Sequence, residues 1–128
     1  MKKPYWLTRD ECLALHDMML SCYGGIAGLR DEHLLESALS RPQQLFHYGN
    51  PTLAEMAAAY SAGIVKNHPF LDGNKRTGFM LGAGFLERNG HELHATEADA
   101  VLQPLALAAG EMTEAAYAEW LHQNSKRA

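Results

Sequence analysis

The sequence predicts an all-α fold, a compact helical bundle arranged around a central helix that begins near Asn74. Apolar residues recur at three- and four-residue spacing along most of the chain, the period of a half-buried helix. Thr8/Glu11, Thr52/Glu55 and Thr96/Asp99 each place a hydroxyl three residues before an acid at the head of such a stretch, as helix N-termini do. No run alternates apolar and polar residues long enough to make a useful strand. The 128 residues, 47% of them hydrophobic, suit a single domain spanning the whole chain.

The first helix opens at the Thr8–Glu11 capping box and carries Cys12, Leu13, Leu15, His16, Met19 and Leu20 until Gly24-Gly25 stops it. Asp31 caps a second, bearing Leu34, Leu35, Ala38 and Leu39, which is expected to end before Pro42; Leu45 to Pro51 reads as an irregular connection. Thr52 and Glu55 open an Ala-rich helix through Met56, Tyr60 and Ile64 to about Asn67. Pro69 then disfavours helical geometry at His68, so His68–Gly73 is a loop. Periodicity resumes at Asn74 and runs to Asn89-Gly90, a good C-terminal stop. Glu92 to Thr96 suits a short extended piece. Thr96 starts a helix expected to break near Pro104, and a last helix covers about Glu111 to Gln123, with Tyr117, Trp120 and Leu121 on its apolar face.

The formal net charge of −4 gives no general electrostatic footprint for a nucleic-acid backbone, so direct nucleic-acid binding is not expected. Any phosphate chemistry must come from a local concentration of donors. Cys12 and Cys22 are too few for a disulfide framework or a thiolate zinc site, and reduced thiols in a cytoplasmic protein are the expectation. The N-terminus, Met1 to Trp6, holds Lys2 and Lys3 but no apolar stretch of signal-peptide length. The longest apolar run, Phe79 to Leu86, contains Gly82 and Gly84 and falls far short of the ~20 residues a membrane helix needs. A soluble protein without membrane attachment is expected.

One segment carries chemistry: His68-Pro69-Phe70-Leu71-Asp72-Gly73-Asn74-Lys75-Arg76-Thr77-Gly78. It places Gly73 and Asn74 at the start of a helix, where free amides and the positive end of the dipole make an anion site. Gly73 lets a ligand approach the backbone closely. Lys75 and Arg76 in a first turn oppose the dipole, each costing ~0.3–1 kcal/mol. That choice makes sense if phosphates sit among them, Arg forking two oxygens and Lys supplying a movable charge. Asp72 adds a hard oxygen ligand suited to a magnesium ion that takes its other ligands from phosphate. His68 is the natural general base for a hydroxyl, since imidazole titrates near ~6.5. The reading requires Lys75, Arg76 and His68 to face a common cavity.

Each residue has a plainer alternative. Lys75 and Arg76 can be solvated surface charges, Asp72 can be a helix N-cap, and His68 can be structural. Their joint occurrence is what points to a nucleoside triphosphate. The spacing is not that of a Walker loop.

His-Pro-Phe-x-Asp-Gly-Asn-Lys-Arg, His68 to Arg76, resembles the signature of the Fic/Doc (Fido) family, and within it the Doc, or death-on-curing, toxin branch. The resemblance extends from the Asp31-to-Phe46 region through Asn89-Gly90. The family fold it implies is an α-helical bundle. It implies His68 as general base, Asp72 as the magnesium-linked residue, Asn74 and Arg76 as phosphate binders, and Gly73 as part of the anion nest. Most Fic proteins transfer AMP from ATP to a protein hydroxyl; they carry Gly where this chain has Lys75 and a second Arg where it has Phe79. Both departures are similar to Doc toxins, which are kinases that phosphorylate a threonine of the elongation factor carrying aminoacyl-tRNA and so stop translation. Gly73 departs the other way, because the founding toxin of that branch has Ala there. A Doc-like toxin that transfers the γ-phosphate of ATP is therefore the leading expectation, with AMP transfer to a protein hydroxyl or a non-catalytic nucleotide-binding regulator as the alternatives.

The resemblance also implies control. Many Fic proteins are blocked by a helix bearing Ser/Thr-x3-Glu, and no Glu of this chain has Ser or Thr four positions before it. A separate Phd-like antitoxin, inserting a helix or disordered tail beside the loop, is the expected arrangement.

Other features read as structural. His91-Glu92-Leu93-His94 is not the His-Glu-x-x-His of a zinc site. Gly78 and Gly82, one turn apart, permit close helix packing, and Met18, Met19 and Met80 fill the core. His47, Tyr48 and Asn50 lie where a target-guiding flap would be in Fic proteins.

Overall fold

The computed structural model describes residues 3–128; Met1 and Lys2, part of the basic N-terminus, lie outside the described residues. Among the described residues six helices follow one another, α1 (Arg9–Tyr23), α2 (Glu32–Tyr48), α3 (Leu53–Asn67), α4 (Asn74–Arg88), α5 (Glu97–Ala109) and α6 (Glu114–Gln123). β1 (His91–Leu93) pairs antiparallel with β2 (Ser125–Arg127), His91 opposite Arg127 and Leu93 opposite Ser125. The expected all-α bundle is the observed one. One hydrophobic cluster draws residues from all six helices, among them Cys12, Leu35, Tyr60, Phe85, Leu107 and Tyr117.

The centre of the bundle lies one helix earlier than expected. In α3 every residue from Met56 to Val65 is buried, as a helix apolar or small on all sides must be. The helix beginning at Asn74 packs along it antiparallel, which the glycines show. A Cβ at Gly82 would stand 3.0 Å from the Ala57 carbonyl oxygen, and one at Gly78 would stand 3.0 Å from that of Ser61. Ser61 Oγ also donates to Gly78 O at 2.7 Å. This close approach fixes where the head of α4, and hence the loop before it, sits.

Three helix boundaries differ from the expectation. α2 does not end before Pro42 but runs to Tyr48, so Leu45 to Tyr48 is helical. An internal proline forfeits a hydrogen bond and costs ~3 kcal/mol in isolation. Here Pro42 is buried with Leu35 and Ala38. The carbonyl left unpartnered, Ala38 O, is turned against α3 at Gly63, where a Cβ would come within 3.1 Å of it. α5 likewise continues through Pro104, which shares its buried face with Leu107. α6 starts at Glu114 behind the Thr113 cap, not at Glu111, because Glu111 N–H closes the end of α5 by donating to Ala106 O at 3.0 Å. The extended piece is His91–Leu93, shorter and earlier than Glu92 to Thr96, and its partner strand at the C-terminus was not foreseen.

Cys12 and Cys22 are both free, the first buried and the second exposed. Burial pushes the Cys12 thiol up to about 12, so it acts as a small apolar side chain. No helix among the described residues is long and apolar enough to cross a membrane.

Candidate active site

Five of the six helices are capped by a side chain, from Thr8, Asp31, Thr52, Thr96 and Thr113. α4 is the exception. Its cap is Gly73, left-handed at φ 77 and ψ 16, with no side chain on the first-turn amides. Asp72, which could have been the cap, is not. Its Oδ2 accepts the Ile26 N–H at 3.1 Å and its Oδ1 accepts the Gly73 N–H at 2.9 Å. These two backbone bonds, Ile26 first, hold the carboxyl below its ordinary range, with His16 and Lys75 adding smaller effects.

The loop is pinned from several sides. His68 ends α3 in a left-handed conformation, φ 51 and ψ 56, with its N–H on Ile64 O. A non-glycine residue there costs ~1–3 kcal/mol and persists only when its surroundings hold it. Arg30 supplies part of that hold, its Nε donating to His68 O at 2.6 Å and its Nη2 to Asn67 O at 2.9 Å. The backbone of the preceding segment runs alongside, Arg30 N–H on Pro69 O and Leu71 N–H on Gly28 O, with Leu29 bridged to Phe70. Phe70 is buried and stacks flat on His16, ring centroids 3.8 Å apart. His16 Nε2–H donates to Asp72 O at 2.8 Å.

Asn74 is 6% exposed. Its Oδ1 accepts Phe70 N–H and its Nδ2 donates to Phe70 O, which fixes the amide's orientation. Nδ2 then lies 3.3 Å from His68 Nδ1. The side chain expected to bind phosphate is thus committed to the loop, leaving Asn74 only its first-turn backbone amide to offer an anion.

A cavity of about 370 Å³ brings Asp72, Gly73, Lys75 and Arg76 together with Met19, Leu20, Tyr23, Gly24 and Gly25 at the end of α1. The Arg76 guanidinium lies 3.7 Å over the Tyr23 ring, which aligns it without using its hydrogen-bond donors. His68 does not line this cavity. It is solvent-exposed and joined to the cradle through Asn74, so the common cavity that the sequence required holds Lys75 and Arg76 but not the imidazole. Among the described residues no three His, Cys, Asp or Glu side chains converge to hold a metal. Each Asp72 oxygen accepts one N–H and keeps a lone pair free, so a magnesium ion there fits if phosphate and water supply its other ligands.

Sequence reasoning missed His16, Tyr23 and Arg30. Each acts from a distant segment, and the only local signal was the odd placing of His16 among the apolar positions of α1.

The Fic/DOC family model matches residues 6–86. The chain is 33% identical, over 118 residues, to "Protein kinase doc" of Escherichia phage P1, covering 91% of this chain and 93% of the relative. It is 37% identical, over 93 residues, to "Toxin Doc" of Mycolicibacterium smegmatis, covering 70% of this chain and 68% of that one. With the loop, its anchors and these relatives together, the chain belongs to the Fic/Doc family, on its death-on-curing branch.

Proposed function

We propose that the chain is a Doc-like toxin that moves the γ-phosphate of ATP onto a Ser or Thr hydroxyl of a protein. The elongation factor that carries aminoacyl-tRNA is the proposed target, and translation arrest the consequence. The supporting observation is the uncapped head of α4, where Gly73, Lys75 and Arg76 line one cavity with an ionised Asp72. A relative named as a kinase and another named as a toxin support the same reading.

In this reading the first-turn amides, Lys75 and Arg76 hold the polyphosphate, and Asp72 would hold a magnesium ion, which when bound would neutralise charge on the phosphates. His68 takes the proton of the incoming hydroxyl. It lies outside the cavity, linked to the head of α4 through Asn74, so this reading needs the target hydroxyl to span the two, its oxygen toward the phosphates and its proton toward His68. The hydroxyl oxygen bonds to the γ-phosphorus as the bond to the bridging oxygen breaks, and ADP leaves with that electron pair. In the Nε2–H form of the ring Asn74 faces the free Nδ1 lone pair. To take the hydroxyl proton on Nε2 the ring needs the other tautomer, turned so that its Nδ1–H no longer faces the Asn74 N–H. A Phd-like antitoxin beside the loop is the proposed control.

AMP transfer is the second reading, and Gly73 favours it. At φ 77 its backbone can approach an anion without the strain a side chain would add. ATP labelled at the α- or the γ-phosphate, incubated with the protein and cell lysate, separates the two. Label from the γ-position alone is expected; label from the α-position alone replaces phosphoryl transfer by AMP transfer. Growth arrest that persists in a folded His68→Ala variant would instead favour a non-catalytic regulator.

A further inference from the structure

His16 takes no part in the chemistry above, yet its stacking partner and its hydrogen-bond partner both belong to the loop. It is 3% exposed. Its ring lies on Phe70, planes 8° from parallel, and its Nε2 is 2.8 Å from the Asp72 carbonyl oxygen, 56 residues along the chain. A carbonyl only accepts, so this contact requires a proton on Nε2.

The consequence lies on the other side of the same peptide. Among the described residues no peptide bond is cis, and in a trans peptide C=O and N–H point in opposite directions. Anchoring the Asp72 oxygen inward on a buried imidazole turns the Gly73 N–H outward. There it meets Asp72 Oδ1, at the cavity that Lys75 and Arg76 also line. The carboxylate oxygen marks the place an anionic oxygen can take. The stacked Phe70, whose backbone Asn74 clamps, lets one ring steady both ends of the turn.

We propose that His16 is a positioning residue of the phosphate-binding loop, aiming the Gly73 amide at a polyphosphate oxygen through its hold on the Asp72 carbonyl. This rests on the reading of the cavity as a polyphosphate site. His16→Phe keeps a ring on Phe70 and loses the donor; His16→Gln loses the ring and keeps an N–H near the Nε2 position.

The Phe variant should bind a non-hydrolysable ATP analogue about tenfold more weakly, ~1.4 kcal/mol, in calorimetry on protein shown by circular dichroism to be folded. Its KM for ATP should rise in step while kcat changes little, and the Gln variant should recover most of the affinity. Unchanged affinity and KM in the Phe variant, or a Gln variant as weak as the Phe one, overturns the proposal. Nitrogen NMR of the unaltered protein tests it without mutation. The His16 proton should sit on Nε2, and the Gly73 amide should shift as inorganic tripolyphosphate is added. A proton on Nδ1, or a Gly73 amide unmoved by tripolyphosphate that binds, also overturns it. If the unaltered protein binds neither tripolyphosphate nor the analogue, the polyphosphate site itself falls, an outcome distinct from a bound ligand that ignores Gly73.

Discussion

Asn74 and Phe70 hold each other through two hydrogen bonds of 3.0 Å, the side-chain amide of one pairing with both backbone polar groups of the other. The amide thus does for the loop what a neighbouring strand does for a sheet, and its remaining hydrogen faces His68 Nδ1. Asn74→Asp keeps the acceptor for the Phe70 N–H but sets a second oxygen against Phe70 O and His68 Nδ1, acceptor against acceptor. Leaving such buried groups unpaired costs ~1–3 kcal/mol. Urea denaturation should show a loss of that size, with label transfer falling by more than the unfolded fraction explains. An unchanged midpoint would mean that the clamp carries no weight.

Arg30 holds the other end of the loop. Its fork lies on the carbonyls of Asn67 and His68, the acceptors that a helix C-terminus leaves unpaired and where a cation is favoured. Since His68 is left-handed at φ 51, loss of the fork should free its backbone. Arg30→Ala is expected to lose ~1–2 kcal/mol of stability and to slow transfer further at a temperature where the protein stays folded. Arg30→Lys should recover only part of both, because an ammonium cannot fork. Equal transfer rates in folded Ala variant and unaltered protein would separate Arg30 from the placement of His68.

Gly82 tests the contact that seats α4. A Cβ there would run into Ser61 Oγ and lie 3.0 Å from the Ala57 carbonyl oxygen, so α3 and α4 must part to admit it. Alanine would gain ~1 kcal/mol of helix propensity, against ~1–3 kcal/mol for overpacking. A net loss of stability is expected in chemical denaturation. A more stable Gly82→Ala protein would show that the helices are not in close contact here.

What was legible in the sequence was local. Thr8, Asp31, Thr52 and Thr96 announce helices because a cap acts within three residues, and all four do so in the structure. Gly73 was legible as the special start of α4 for the same reason. Pro42 and Pro104 misled because their neighbours across the bundle outweigh a local rule. Ser125–Arg127 has no strand signal of its own and becomes one only by pairing with His91–Leu93. At the site, residue types pointed to phosphate but not to direction. Asn74 turned inward, His68 stayed outside the cavity, and Arg30 and His16 reached the loop from 38 and 56 residues away.

Asp72 makes the acid behaviour of the protein testable. Its carboxyl is held below the ordinary range, first by the Ile26 N–H and then by that of Gly73, bonds that favour the ionised form. A group whose folded pKa is depressed stabilises the fold above its unfolded value, ~3.9 for Asp. That contribution is lost as the pH falls through the folded pKa. Asp72→Asn removes this dependence, since an amide offers one acceptor and sets an N–H donor against one of the two backbone N–H groups. The other carboxylates are common to both proteins, so subtracting the two urea-denaturation curves isolates Asp72. The unaltered protein should be the more stable near neutral pH, and the gap should close as the pH is lowered below the ordinary Asp value. A gap constant with pH, or one that widens in acid, would show that these amides do not hold the carboxylate.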